Sequence, residues 1–234
     1  MLKIYNKLFF FFRILHDIFF RSKILIPRNS YSQEGEDKKI IKFFRNLRNG
    51  FYVDVGAYNP IRASNTYLLH KRGWQGINVD ADYFSYKLFN ILRPKDHNFN
   101  FAVTSRKKKF VNLYYPTNSS QIKTINEKFR NIVLNKFNSR KVPVATLNFL
   151  IRQTKFYKKK IDFLNIDCEG EDYEVLKSLD LKIYRPRLIC IEINTLISKD
   201  IRQSKVYKYL IKNGYTKKYS FINSHIFIDL FRPS

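Results

Sequence analysis

The sequence contains few of the residues that punctuate or cross-link a chain. Its 234 residues include only two cysteines, Cys168 and Cys190, together with seven glycines and seven prolines. Two cysteines cannot form a disulfide framework, so we expect a reducing compartment. The low glycine and proline content excludes collagen-like, linker-rich and low-complexity proteins. The length fits one α/β domain, and a hydrophobic content of 44% is enough to build a core.

Acidic residues are also scarce. The 19 Asp and Glu stand against 44 Lys and Arg, which gives a formal net charge of +25. Residues 97–160 hold fifteen of the basic residues and a single acid, Glu127, whereas residues 161–174 hold six acids and no base. The plain interpretation is a lysine-rich surface that is simply solvated. The alternative is a basic face that attracts an anionic acceptor, a membrane surface or nucleic acid.

Long hydrophobic runs are missing as well. The apolar N-terminal segment, residues 1–26, is interrupted by Arg13, Asp17 and Arg21, so it is too short to span a membrane. No small-residue cleavage site follows it, which argues against a secretory signal. We predict a basic amphipathic helix within residues 1–29, ahead of a domain at residues 30–234. The helix either lies on an anionic membrane or packs against the domain, and both alternatives stay open.

Strand and helix patterns alternate from residue 30 onward. We predict strands at residues 51–55, 76–80, 98–104, 161–167 and 188–194, and a C-terminal pair at residues 215–221 and 225–230. Helices are predicted after Gly35, at residues 63–71, 122–137 and 199–213, and between Gly170 and Leu179. This alternation predicts an α/β fold with a mostly parallel sheet and helices on both faces.

Acidic residues follow four of the predicted strands at the point where each ends. They are Asp54, Asp80 with Asp82, Asp167 with Glu169, and Glu192, which is followed by Asn194. A single acid at a strand end is usually a helix cap or a surface group. Acids at four ends of one sheet edge instead predict a site for a polar ligand, because ligands bind beyond the carboxyl ends of parallel strands.

The turn VDVGAYNP, after the first strand, carries one glycine, Gly56. A dinucleotide fingerprint has three, and Asn59 and Pro60 stand where the later ones would let the backbone approach a pyrophosphate. Asp80 lies 26 residues beyond Asp54, close to the usual spacing of the acid that binds ribose hydroxyls. Together these two features predict a ligand that contains a nucleoside but no pyrophosphate, which favours S-adenosylmethionine over a nicotinamide cofactor.

Five strings of residues carry a family resemblance. They are SYSQEGED, GFYVDVGAYNP, SNTYLLHKRGWQGINVDAD, NFNFAV and IDFLNIDCEGEDYEVLKSLD, in that order over roughly residues 30–230. Through them the chain resembles the FkbM family of S-adenosylmethionine-dependent methyltransferases. The resemblance implies a Rossmann-like class I fold with a mostly parallel seven-stranded sheet and an antiparallel C-terminal strand. It also implies methyl transfer to a hydroxyl of a sugar, glycan, glycolipid or related natural product.

The resemblance assigns cofactor-binding residues position by position. It implies Asp54, Gly56 and Ala57 beside the amino-acid part of S-adenosylmethionine, Asp80 at the ribose, Ala102 and Val103 beside the adenine, Asp167 near the methyl group, and Gln33 in an element that closes over the site. The chain departs from the family at two positions. Asn165 stands where many relatives have Lys, and Asn148 where many have Asp.

A hydroxyl acceptor must lose its proton, so the site needs a base. We expect Asp167 to be that base, with Glu169 and Glu192 as the next candidates. Clustered carboxylates raise one another's pKa, which suits a base. Together with Asn194, the same three carboxylates could ligate a hard divalent ion, although no metal is expected.

Two other functions stay open from the residues alone. A nucleic-acid methyltransferase would use the basic 97–160 segment as its footprint, but Asp-Cys-Glu-Gly follows the fourth strand where base-modifying enzymes usually have Asn/Asp-Pro-Pro-aromatic. A non-catalytic binding module would not need the carboxylates. We therefore predict a small-molecule or glycan acceptor with an anionic group, and no nucleic-acid partner. The predicted location is cytoplasmic, with residues 1–26 touching the inner face of the membrane as the alternative.

Overall fold

The computed structural model describes residues 2–193 and 200–232, with side chains from residue 8 onward. Its centre is a seven-stranded sheet in the order β3-β2-β1-β7-β8-β10-β9. These strands are β1 (Phe51–Val55), β2 (Gln75–Val79), β3 (His97–Phe99), β7 (Phe163–Ile166), β8 (Leu188–Glu192), β9 (Tyr215–Ser220) and β10 (Ser224–Asp229). The first five are parallel, and β10 runs antiparallel to both β8 and β9. The prediction of a mostly parallel, Rossmann-like sheet with an antiparallel C-terminal strand is confirmed.

Helices cover both faces of this sheet. They are α1 (Leu2–His16), α2 (Glu36–Phe43), α3 (Tyr67–Lys71), α4 (Tyr83–Leu92), α5 (Glu127–Val133), α6 (Leu147–Arg152), α7 (Asp172–Lys177) and α8 (Lys205–Lys212). Alternate residues of β1, β7 and β8 pack with α6, α7 and α8 in the main core, and the remaining ones pack with α2 and α3. Every residue of β1 and β8 is buried, as expected for strands covered on both sides.

Residues 98–104 do not form the single strand that the sequence suggested. β3 pairs with β2 in the main sheet, whereas β4 (Ala102–Val103) belongs to a second sheet in the order β4-β6-β5. Between them Asn100 Nδ2 donates a 2.9 Å hydrogen bond to the Asp80 carbonyl, where the chain leaves the main sheet. The strands β5 (Phe110–Tyr115) and β6 (Asn138–Ala145) were missed; β6 begins with four polar residues and contains Pro143, which weakens its strand pattern.

Three of the predicted helices are shorter in the structure than the sequence suggested. The helix expected at residues 63–71 begins at Tyr67, because Ala63 has φ +50° and the side chain of Thr66 is bonded to Asp54. The helix expected at residues 122–137 covers only α5, capped by Asn126. α8 begins at Lys205 after a 3-10 turn, and Asn194, at the end of the predicted fifth strand, lies outside the described residues.

The N-terminal segment forms α1 and one π-helical turn, Asp17–Arg21. Ile14 and Ile18 pack against Phe84 and Leu88 of α4, so one face of the segment lies on the domain. Within the described residues no helix combines the length and apolarity needed to cross a membrane.

Candidate active site

The carboxyl ends of β1, β2 and β7 open into one cavity of about 950 Å³, a volume that includes space open to solvent. Its wall contains all eight predicted cofactor residues, namely Gln33, Asp54, Gly56, Ala57, Asp80, Ala102, Val103 and Asp167. The predicted base candidate Glu169 lies there too. The structure therefore brings together residues that are up to 136 positions apart in the chain.

The turn after β1 lies tightly against its neighbours. The amides of Gly56 and Ala57 both donate to the carbonyl oxygen of Val79, at 3.0 and 3.2 Å. Gly56 has φ +73°, and a Cβ added there would collide with the backbone carbonyl oxygen of Asp167. Glycine is required at position 56 because the left-handed backbone there lies too close to a carbonyl oxygen for any side chain.

Asp80 directly follows β2 and is held by the backbone. Its Oδ2 accepts a 2.7 Å hydrogen bond from the Tyr58 amide, and its Oδ1 accepts a 2.6 Å bond from the Asp82 amide. Burial and the charge of Asp82 raise the pKa of Asp80 to about 6. Each oxygen keeps a second acceptor site, so the carboxylate is fixed in the cavity wall with capacity for hydroxyl donors.

Asp54 is held by side chains, whereas Asp80 is held by backbone amides. Thr66 Oγ1 donates to it at 2.7 Å and Asn165 Nδ2 at 2.9 Å, and the residue is only 2% exposed. Burial raises the pKa of Asp54. Asn65 Nδ2 in turn donates to Asn165 Oδ1 at 2.9 Å. Asp54 therefore fixes the floor of the cavity. Asn65 lines the wall of the cavity and is a polar residue that was not predicted from the sequence.

Asp167 is surrounded by like charge. No hydrogen bond reaches its carboxylate from the residues that the structure describes. Burial, with the nearby Glu169, Asp172, Asp54 and Glu36, raises the pKa of Asp167 well above its usual range. An unbonded carboxylate of this kind binds a proton readily or pairs with a cation.

Glu169, two residues further on, has φ +50°. Burial and the charge of Asp172 raise the pKa of Glu169 to about 7. By contrast, Asp172 accepts hydrogen bonds from the amides of Cys168 and Gly170, at 2.8 and 3.1 Å, and so holds the turn. Of the acids of this turn that line the cavity, Glu171 is bonded to Thr104 and Arg106, whereas the carboxylates of Asp167 and Glu169 accept no hydrogen bond from the described residues.

Glu192 does not join them. It is buried at the end of β8 and is not among the described residues that line the cavity. The alternative of a divalent ion held by Asp167, Glu169, Glu192 and Asn194 finds no support in the part of the chain that the structure covers. There, no group of three or more His, Cys, Asp or Glu is arranged to hold a metal ion.

The basic 97–160 segment builds the roof of the cavity. Leu113 of β5 and three residues of the following loop, Gln121, Lys123 and Ile125, line it. Thr124 Oγ1 donates to the Glu169 carbonyl at 2.8 Å, which ties this roof to the turn after β7. These residues were not predicted, because β5 was missed and the helix expected at residues 122–137 begins only at Glu127.

Lys123, the basic side chain that the described part of this roof contributes to the cavity, is already paired. Asp82, just after β2, is buried and forms ion pairs with Lys123 and with Arg140 of β6. Burial alone would raise the pKa of Asp82, but the two cations together hold it below its usual value. Asp82 therefore acts as a clamp between the main sheet and the roof.

The strand order, the antiparallel C-terminal strand and a cavity at the carboxyl edge define a Rossmann-like α/β protein with a ligand site beyond its parallel strands. The family model described as the Methyltransferase FkbM domain matches residues 54–217. Because this match covers more than half of the chain, the protein belongs to the FkbM methyltransferase family, as the sequence motifs suggested. S-adenosylmethionine is the usual methyl donor of methyltransferases. A comparison with proteins of curated function finds no match.

Proposed function

We propose that the chain is an S-adenosylmethionine-dependent O-methyltransferase that acts on a hydroxyl of a sugar, glycan or glycolipid. One observation carries the proposal: the cavity wall places two carboxylates of raised pKa, Asp167 and Glu169, beside a fixed hydroxyl acceptor, Asp80. Transfer to a hydroxyl needs a base and a nucleoside cofactor needs a ribose-binding acid. The position of these carboxylates in one cavity supports both assignments.

The residues present suit this cofactor on charge and on shape. S-adenosylmethionine carries a sulfonium and an ammonium group, and the unbonded carboxylate of Asp167 offers a partner for positive charge. Gly56 lines the cavity with backbone atoms alone. Asp80 would accept from the ribose hydroxyls, while Phe101, Ala102 and Val103 offer an apolar wall for the adenine.

When bound, the cofactor supplies an already activated methyl group. The protein must then position the acceptor oxygen and remove its proton. We assign the proton to a carboxylate oxygen of Asp167, which burial and neighbouring acids make more basic than an ordinary aspartate. Glu169 lies next to it with a pKa of about 7 and is the second candidate. The roof, held by the clamp at Asp82, would exclude water from this reaction.

The charge around the roof supports an acceptor that carries an anionic group, such as a phosphate or a uronic acid. Lys107, Lys108 and Lys109 are exposed on the outside of the roof, whereas Lys123, which faces the cavity, is neutralised by Asp82. An anionic group would therefore bind outside the cavity, with the reacting hydroxyl reaching inward.

Methyl transfer from labelled S-adenosylmethionine tests the proposal directly. The purified chain would be incubated with neutral and acidic sugars, glycans and glycolipids, and with RNA and DNA. We expect label in a carbohydrate, attached as an ether at a hydroxyl position. Glu127→Gln, an exposed position of α5 outside the cavity, serves as the matched control and should retain the transfer. Label on a nitrogen of a nucleic-acid base would contradict the proposal.

A further inference from the structure

The N-terminal segment has a second apolar face that does not touch the domain. While Ile14 and Ile18 pack on α4, the opposite side of the helix points outward. The outward residues are Leu8, Phe9, Phe12, His16, Phe19 and Phe20. Their spacing of three and four positions keeps them on one side of a helix. Phe9 is 73% exposed and Phe20 is 71% exposed, so most of each ring lies in solvent.

This outward face has almost no capacity for hydrogen bonds. Within residues 8–20, His16 is the one polar side chain on it, and its ring stacks on Phe20 at 5.5 Å. Leu25 and Ile26, in the following turn, are 80% and 54% exposed. Interfaces between proteins usually contain roughly one hydrogen bond for every 100–200 Å² of interface area. A face this uniform suits a partner that offers hydrocarbon without a pattern of polar groups.

The N-terminal segment is rich in basic residues. Residues 1–28 contain six basic residues, which are Lys3, Lys7, Arg13, Arg21, Lys23 and Arg28, and one acid, Asp17. Asp17 is buried and pairs with Arg21 at 3.5 Å, and Arg13 is bonded to Asn118 of the domain, whereas Lys23 is exposed two residues before Leu25. The whole chain has a net charge of +25. Two copies would therefore repel each other if they met through this face, whereas an anionic surface would attract it.

We propose that residues 8–26 dock on the surface of an anionic lipid bilayer, with the phenylalanine rings in the interface, Lys23 near the headgroups and the net positive charge of the chain drawing it to the membrane. Amphipathic helices bind in this way through buried apolar area together with attraction to anionic lipids. The proposal concerns a surface distinct from the cavity and does not depend on which acceptor is methylated.

The docked segment is also fastened to the loops around the cavity. Asn59, in the turn after β1, donates from Nδ2 to Asp17 Oδ1 at 2.7 Å, and Ser22 Oγ donates to the same oxygen at 3.0 Å. Arg13 Nη2 donates to the Asn118 carbonyl at 2.8 Å, in the loop that leads to Gln121 and Lys123. A bilayer that binds this helix would therefore hold the catalytic domain at the membrane through rigid contacts and not through a linker.

Vesicle sedimentation tests the docking surface. The full chain would be mixed with vesicles of phosphatidylcholine alone and of phosphatidylcholine with phosphatidylglycerol, without any methyl donor. We expect binding to the anionic vesicles, weakened by salt and by removal of phosphatidylglycerol. The double substitution Phe9→Ser and Phe20→Ser should reduce partition about tenfold or more, a loss of about 1.4 kcal/mol.

The matched control is Phe110→Ser with Phe149→Ser, two phenylalanines that are 60% and 52% exposed elsewhere on the surface. This variant should bind vesicles as the wild type does, and circular dichroism should show the same melting temperature for both variants. Equal binding of the two variants would overturn the proposal, as would no binding of the wild-type chain to anionic vesicles. A dimer in light scattering that only Phe9→Ser with Phe20→Ser dissolves would overturn it in favour of a second copy.

Discussion

The backbone of Gly56 lies directly against the carbonyl oxygen of Asp167, so that the turn after β1 and the turn after β7 share one contact. This contact has no room for a Cβ. It joins the loop expected to hold the cofactor to the residue expected to act as the base. The geometry of the site therefore depends on a position that carries no functional group.

Gly56→Ala should disrupt the site far more than Gly35→Ala. Both glycines have positive φ, at +73° and +85°, so both substitutions carry the strain of about 1–3 kcal/mol for a left-handed residue. Only at Gly56 does the added methyl also meet backbone, whereas at Gly35 nothing lies within 4 Å. We expect Gly35→Ala to bind S-adenosylmethionine with a slightly lower melting temperature, and Gly56→Ala to lose binding. Equal effects on binding would show that the contact between the two turns is unimportant.

Asp167→Asn should separate binding from catalysis. The amide cannot accept the hydroxyl proton, and a general base typically contributes about 10²–10⁴ to a rate. We therefore expect turnover to fall by about that factor, while the affinity for S-adenosylmethionine changes by about tenfold or less. Single-turnover kinetics and calorimetry would measure the two quantities, with Glu127→Gln as the control. Undiminished turnover would remove Asp167 as the base and make Glu169 the next residue to test.

Glu169→Gln should change how the stability of the cofactor-free chain depends on pH. The pKa of Glu169 is raised from 4.5 in the unfolded chain to about 7 in the folded one. Between these values the folded state binds more protons, so the free energy of unfolding falls as pH rises. The glutamine variant does not titrate at this position, so its free energy of unfolding does not fall for this reason. Its stability relative to wild type should therefore grow by about 1–3 kcal/mol between about pH 4 and about pH 8.

Urea unfolding at several pH values measures this difference. Glu127→Gln, in an exposed part of α5, should show a nearly constant difference from wild type over the same range. A constant difference for Glu169→Gln as well would mean that Glu169 titrates normally.

The affinity for S-adenosylmethionine should rise with pH, because a cationic ligand binds best to ionised carboxylates. Asp167 and Glu169 have raised pKa values, so some of their protons must leave when the cofactor binds. S-adenosylhomocysteine lacks the sulfonium charge and should depend less on pH. Calorimetry in two buffers with different heats of ionisation would count the protons released. Equal proton release by both ligands would contradict this role of the carboxylates.

Much of the fold was predictable from the sequence. The strands β1, β7 and β8 are short apolar runs that end in acids, so both their position and the polar edge of the sheet followed from local pattern. The eight cofactor residues taken from the family resemblance lie in one cavity because parallel strands bring their carboxyl ends to one edge.

The roof and the network under the cavity were not predictable. Leu113 and Ile125 are separated by a loop and meet the cavity only because β5 pairs with β6, a contact between residues distant in the chain. Likewise, no local pattern shows that Asp54 is neutralised by hydrogen bonds from Thr66 and Asn165, or that Asp82 clamps Lys123. Such pairings depend on tertiary structure, whereas a sequence shows only that the residue types are present.

Titration calorimetry with S-adenosylmethionine, on the wild-type chain and on Asp80→Ala, tests the central claim that this cavity holds the cofactor. We predict saturable binding of S-adenosylmethionine to one site on the wild-type chain. We also predict that Asp80→Ala, which removes the acceptor of the ribose hydroxyls, weakens binding by about 1–3 kcal/mol, or about 5–150-fold in affinity. Equal affinity of the two proteins would contradict the assignment of Asp80. If equilibrium dialysis also shows no binding to the wild-type chain, this cavity is not a site for S-adenosylmethionine.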